Sequence, residues 1–202
     1  MDSVTQEKWD RVSKTFDVMS QCGPEMRWRP AKRELFSHMR PGARVLFVAL
    51  GTGLDIACFP PGRQITAIDI SPRMLERATE RVRDYEGEIV PLVADVKELD
   101  FPDEHFDQVF TSCTFCSVPD PVVGLEELRR VLKTGGDLYM FEHTGSRWFP
   151  FSAMMNLMTP LTSRVGPDMN RPTADNVRKA GFKLERIDNV FLDVVKTIHA
   201  VK

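Results

Sequence analysis

With 202 residues the chain is long enough to bury a substantial core and short enough to be read as one domain. A formal net charge of −2 gives no electrostatic reason to expect nucleic acid as a partner. Four cysteines, Cys22, Cys58, Cys113 and Cys116, are scattered among predicted helices and strands, a use that favours reduced thiols in a cytoplasmic protein over a disulfide framework.

No signal peptide opens the chain and no apolar run reaches bilayer length, so membrane contact is expected to be peripheral at most, at the inner face of the membrane. Asp2–Gln21 reads as one helix: Val4, Trp9, Val12, Phe16 and Met19 recur near helical spacing, and Cys22-Gly23-Pro24 ends it. Pro30–Met39 reads as a second helix, closed by Pro41-Gly42. Residues 1–40 precede the first strand, so they are expected to cap a ligand edge rather than form a domain of their own.

Arg44–Leu50 is a near-continuous apolar run of the kind a strand buried on both faces shows, and Ile65–Ile68 is another. Gly51-Thr52-Gly53 lies between them, where missing Cβ atoms allow a sharp turn and close approach to a ligand. A parallel pair needs a crossover, so Leu54–Phe59 is expected to begin a helix that Pro60-Pro61-Gly62 ends. Asp69 closes the second strand, at about the distance past the turn where an acid grips ribose hydroxyls in dinucleotide-binding folds. The third glycine of a dinucleotide fingerprint is replaced by Ile56, and no Gly-Lys-Ser/Thr follows. The turn therefore suits an adenosine without a pyrophosphate, of which S-adenosylmethionine (SAM) is one; a tight turn in an unrelated α/β protein is the bland alternative.

Ser71-Pro72 caps and opens a helix with an apolar stripe of Met74, Leu75, Ala78 and Val82, stopped by Gly87. Glu88–Ala94 is the third strand, followed by Asp95, and Phe106–Ser112 is the fourth. Pro119-Asp120-Pro121 starts a helix ending at Leu132, and Lys133–Gly136 turns the chain into a fifth strand, Asp137–Phe141. This alternation argues for a doubly wound parallel sheet. Leu184–Leu192 and Val194–Val201 then read as two strands joined tightly enough to be antiparallel. Cys113-Thr-Phe-Cys116 has the spacing of a metal or redox pair, but it flanks a buried strand end and has no second pair, so a structural role is expected and no metal.

The segments ALGTG, AID, VADVKELDFPDEHFDQVFTS and VPDPVVGLEELRRVLKTGGDLYMFEH, in that order, resemble the class I SAM-dependent methyltransferases. Phe110–Val118, Phe141-Glu142-His143 and the early Trp9-Asp10 and Phe16-Asp17 pairs resemble the branch holding quinone-biosynthesis C-methyltransferases, bacterial phosphatidylethanolamine N-methyltransferases and animal alkyl-thiol methyltransferases. The resemblance implies an α/β, Rossmann-like, seven-stranded doubly wound sheet whose last strand is antiparallel. It implies one methyltransferase domain over residues 1–202, with SAM as cofactor. By the same resemblance Ala49, Leu50, Gly51, Thr52 and Gly53 run along the methionine part of SAM, and Asp69 accepts both ribose hydroxyls. Ile70 and Met74 pack on the adenine, Asp95 accepts from its amino group, and Val96 adds a backbone contact. Ser112 and Cys113 face the sulfonium end, and Phe16 covers the cofactor. A helix N-cap is the alternative role for Asp95.

Two residues depart from the family pattern. Phe47 stands where relatives carry an acid in the first strand, and Ala49 stands where they carry a glycine. Weaker cofactor binding, a substitute carboxylate such as Asp55, plain core packing by Phe47, or a SAM-binding protein without turnover are the readings this leaves open.

Methyl transfer from a sulfonium chiefly needs alignment and exclusion of water, with a base only where the acceptor must lose a proton. His143 and Glu142, at the carboxyl end of the fifth strand, are the ionisable pair at the active-site edge, with a loop-fastening histidine as the alternative. Thr144–Arg171 is an apolar insertion expected to form a substrate lid, with Trp148, Met154 and Met155 lining the acceptor site and Arg147 and Arg164 bracketing it. The acceptor expected is a hydrophobic or amphiphilic small molecule, foremost a phospholipid amine. A small thiol, a quinone precursor and binding without catalysis stay open beside it.

Overall fold

The computed structural model describes residues 1–21, 25–146, 148–150, 152–153, 157, 168 and 170–202. Seven strands form one mixed sheet: β1 (Arg44–Val48), β2 (Gln64–Asp69), β3 (Glu88–Val93), β4 (Phe106–Ser112), β5 (Leu132–His143), β6 (Lys183–Phe191) and β7 (Val195–Val201). Their spatial order is β3-β2-β1-β4-β5-β7-β6. The first five run parallel, and β7 is antiparallel to both β5 and β6. Because the chain winds outward in both directions from β1, the carboxyl ends of β1 and β4 flank a switch in strand order, the place where such sheets receive ligands.

The apolar runs sit where two-faced burial requires them. Leu46 and Val48 of β1 join a core with Leu125, Leu128 and Val131 on one side of the sheet. Val45 and Phe47 face the other side, against Phe36 and Phe59. The helices are α1 (Ser3–Val12), α2 (Phe16–Gln21), α3 (Glu25–Ser37), α4 (Pro72–Arg83), α5 (Pro121–Val131) and α6 (Thr173–Lys179), with a 3-10 turn over Leu54–Cys58. Ser71 caps α4, its side chain accepting from the Met74 N–H, and Pro72 opens the first turn, as the residue types require. Pro91 sits within β3, which is tolerated because β3 is an edge strand.

Four local expectations change. The first helix is two, broken at Ser13–Thr15, where the Ser13 hydroxyl donates to the Asp10 carbonyl at 2.8 Å and the backbone turns. Helix α3 begins before Pro30 rather than at it; Trp28, 6.4 Å from the Phe141 ring and 5.6 Å from Phe191, anchors the turn that the proline would otherwise open. β1 stops at Val48 because Ala49 adopts φ 60°. β5 starts at Leu132, running through the expected glycine turn with a register shift against β4.

Candidate active site

The connections leaving the carboxyl ends of β1 to β5 converge on one cavity of about 390 Å3. At its base Val48–Gly51 turn away from β1, with positive φ at Ala49 and Gly51. A Cβ on Gly51 would stand 3.8 Å from the Phe16 ring, so the space over the turn lies between Gly51 and Phe16. Trp9 meets Phe16 edge-on at 6.4 Å, and both rings line the cavity from α1 and α2.

Asp69 lies on the wall at the end of β2, 7% exposed. Its Oδ2 accepts the Gly51 N–H at 2.7 Å and its Oδ1 accepts the Ser71 N–H at 2.8 Å. Burial raises its pKa to about 6, against the pull of these N–H donors, and the carboxylate of Asp10 nearby adds to the rise. Beyond its backbone donors the carboxylate keeps acceptor capacity for a hydroxyl donor. Asp10 in turn accepts from the Ser71 hydroxyl at 2.5 Å. Ile70, Met74 and Val96 add apolar wall beside Asp69.

Asp95 also reaches the cavity, with Oδ1 accepting the Lys97 N–H at 3.0 Å and Oδ2 accepting the Asp2 N–H at 2.9 Å. No helix follows it: residues 95–98 form a turn closed by Glu98 N–H on the Asp95 carbonyl, so the N-cap alternative does not apply. The contact with Asp2 fastens the start of α1 across the pocket, a link that nothing in the local pattern announced.

Ser112, Cys113 and His143 line the opposite wall, from the ends of β4 and β5. Among the described residues, Ser112 Oγ and His143 Nδ1 are buried side-chain atoms without a hydrogen-bond partner. Such atoms call for a ligand or another explanation. Burial lowers the His143 pKa below its ordinary value, leaving the ring neutral near pH 7. Cys113 is exposed at φ 52°, its N–H donating to Phe141 at 2.7 Å. Cys116 is buried with its thiol pushed well up by burial, and no metal-ligating cluster occurs among the described residues.

Three residues predicted to hold the cofactor or act in catalysis stand off the wall. Thr52 is fully buried, and its hydroxyl donates to Asp17 at 2.5 Å, tying the turn to α2. Gly53, at φ 82°, serves packing: a Cβ there would lie 3.0 Å from Ile56 Cδ1 and 3.3 Å from Ala78 Cβ. Glu142 is fully buried, with Oε1 accepting from Thr111 Oγ1 at 2.8 Å and Thr114 N–H at 3.2 Å, and Oε2 from Phe115 N–H at 3.1 Å. It shapes the loop after β4 and does not face the cavity, because alternation along β5 points it opposite to His143.

Trp148 is 74% exposed and absent from the cavity wall. Arg147, Met154, Met155 and Arg164 lie outside the described residues, as does most of the expected lid. Phe47 is fully buried, its ring 4.9 Å from Phe59 and 5.7 Å from Phe36, which is the packing reading. Trp28, Lys32 and Asp55 line the cavity as well; sequence reasoning assigned the first two no role there.

A family model described as a methyltransferase domain matches residues 28–140, more than half of the chain. The chain belongs to the class I SAM-dependent methyltransferases. It is 33% identical over 138 residues to a phosphatidylethanolamine N-methyltransferase of Cereibacter sphaeroides, covering 67% of this chain and 68% of that one. It is 33% identical over 149 residues to a demethylmenaquinone methyltransferase of Symbiobacterium thermophilum, covering 70% and 59%. A human thiol S-methyltransferase matches at 30% identity, covering 75% and 67%. These matches thus span about 59–68% of the relatives' own length. Among solved structures, a SAM-dependent methyltransferase of Thermotoga maritima superposes with a TM-score of 0.69 at 19% identity, covering 98% and 99%, a likeness of fold.

SAM, the cofactor of this methyltransferase family, fits the residues present: a buried acid for ribose hydroxyls, apolar walls for a flat base, and two partnerless polar atoms where the far end of the ligand would reach.

Proposed function

We propose that this methyltransferase acts on the amine of an amphiphile, foremost a phosphatidylethanolamine-type phospholipid, with His143 as proton acceptor. Bound SAM supplies a methyl group already activated by the adjoining sulfonium charge. An ammonium acceptor has no lone pair for attack until it loses a proton, so an amine acceptor needs a base at the cavity wall. The observation that carries the reading is His143: a neutral ring on that wall, with Nδ1 buried and without a partner among the described residues. Nδ1 takes the proton, while the opposite wall, Asp69, Ile70 and Met74, holds the adenosine.

The amphiphile is supported by the segment that leaves β5. Trp148, Phe149 and Leu157 are 74%, 84% and 83% exposed, an apolar surface suited to an acyl boundary. Among the described residues no helix is long and apolar enough to cross a membrane, so contact would be interfacial, at an inner leaflet rich in anionic lipid. In this reading residues 1–202 act as one catalytic unit, residues 1–40 as its cap and residues 144–171 as its acceptor lid.

The test is methyl transfer from SAM to three acceptors in detergent micelles: phosphatidylethanolamine, a small alkyl thiol and a demethylmenaquinone. The phospholipid should be methylated, and His143→Asn should lower its turnover by about 10²-fold with SAM affinity little changed. Transfer to the thiol or the quinone precursor alone would reassign the acceptor. SAM binding with no transfer to any of them would favour a binding protein without catalysis.

A further inference from the structure

The cavity wall carries one feature that the cofactor's ribose and adenine do not use. Lys32 of α3 and Asp55 of the 3-10 turn meet there, Nζ to Oδ1 at 2.7 Å, with side chains only 4% and 13% exposed. Lys32 Nζ also lies 5.4 Å from the Phe141 ring centroid, a face that favours a cation. An ion pair taken out of water contributes little net stability, because desolvation offsets the attraction between its members. Fold stability is therefore a weak reason for this pair, and its position suggests a second one.

Asp55 lies just past the Gly51–Gly53 turn, after Leu54, and both charged residues share the wall with Gly51 and Leu54. β1 supplies no acid to this end of the cavity, since Phe47 is fully buried among Phe36 and Phe59. The α-amino acid end of SAM is a zwitterion, one ammonium and one carboxylate on a single carbon. We propose that Lys32 and Asp55 form a charge clamp for that end, Asp55 receiving the ammonium and Lys32 the carboxylate. The protein pair then exchanges one internal contact for two contacts of the same kind with the ligand. In a buried, weakly screened setting such contacts are strong and depend on both charges of the ligand. The clamp makes the site selective for adenosyl ligands that carry an amino acid over those that carry only a thioether. This inference rests on SAM occupying the cavity.

The test compares two ligands by calorimetry: S-adenosylhomocysteine, which keeps the amino acid, and 5′-methylthioadenosine, which lacks it. The wild-type chain should bind the former about 10-fold or more tightly than the latter, the scale of hydrogen bonds between charged groups. Asp55→Asn should remove most of that preference while leaving methylthioadenosine affinity within about twofold. Because Asp55→Asn leaves Lys32 charged in a buried place, the volume-matched double variant Lys32→Met/Asp55→Leu serves as the second measurement, expected to fold and to show no preference. A preference for S-adenosylhomocysteine that survives in either folded variant would overturn the clamp while leaving the cofactor assignment intact. Failure of the wild type to bind either ligand would remove the cofactor assignment, and the clamp with it.

Discussion

Asp17 Oδ1 accepts a hydrogen bond from Thr52 Oγ1 at 2.5 Å, and Asp17 Oδ2 accepts one from Arg81 at 2.9 Å. One carboxylate thus joins α2, the glycine turn and α4. With the Asp2 N–H donating to Asp95 and the Asp2 carboxylate accepting from Lys97, and Asp10 accepting from Ser71 and Arg73, three aspartates of the N-terminal segment fasten it over the cavity. Helix α1 contributes no fully buried residue, so polar contacts carry much of this attachment.

Asp17→Ala should therefore free α2 without unfolding the sheet. Amide hydrogen exchange over residues 3–21 should quicken, and SAM should dissociate faster, with affinity lower by about tenfold, the value of a charge-assisted hydrogen bond. Exchange unchanged from wild type would mean that Trp9 and Phe16 hold the cap alone.

Glu142 makes a different prediction, of stability. It is fully buried and accepts hydrogen bonds from the Thr111 hydroxyl and from backbone N–H groups of the loop after β4. Glu142→Gln would turn one acceptor oxygen into a donor facing a donor, at a cost of about 1–3 kcal/mol. Burial holds the Glu142 pKa at about 7, above its ordinary 4.5. Folding thus favours the protonated acid, a contribution full below pH 4.5 and lost as the pH rises through 7. Urea midpoints for wild type and variant should differ more at pH 5.5 than at pH 8.5. Equal midpoints at both would show that the loop finds other donors and acceptors.

The elements that sequence made legible are those whose cause is local. β4 spans Phe106–Ser112 as its apolar run implies, and Ser71-Pro72 starts α4 through cap chemistry confined to four residues. Asp69 lies on the cavity wall because it ends an apolar strand, a position readable from pattern alone. The break at Ser13–Thr15 was not legible, since the apolar spacing of Val12 and Phe16 runs through it. Trp28, Lys32 and Glu142 depend on partners far along the chain: Phe191, Asp55 and Thr111. No short window of sequence holds both halves of such a contact.

Surface action can be read by flotation. Trp148 and Phe149 are exposed apolar side chains, and Lys8 and Arg11 lie on α1. The wild-type chain should float with anionic vesicles, less so as salt is added, and Trp148→Ser/Phe149→Ser should float less at any salt concentration. No flotation at low salt, together with efficient methylation of a water-soluble acceptor, would contradict the lipid assignment.

The central claim is that Asp69 receives the ribose of SAM, and calorimetric titration of SAM at two pH values tests it most directly. Burial raises Asp69 to about 6 from 3.8, so its protonated form favours the fold below pH 3.8 and that contribution is lost as pH rises through 6. Ribose hydroxyls donate to the charged form, so SAM affinity should run the other way, about tenfold weaker at pH 5 than at pH 7.5. Asp69→Ala should keep its fold, bind SAM more weakly by about 1.5–3 kcal/mol at pH 7.5, and lose most of this pH dependence. A folded Asp69→Ala chain that binds SAM as tightly as wild type at pH 7.5 would contradict the account.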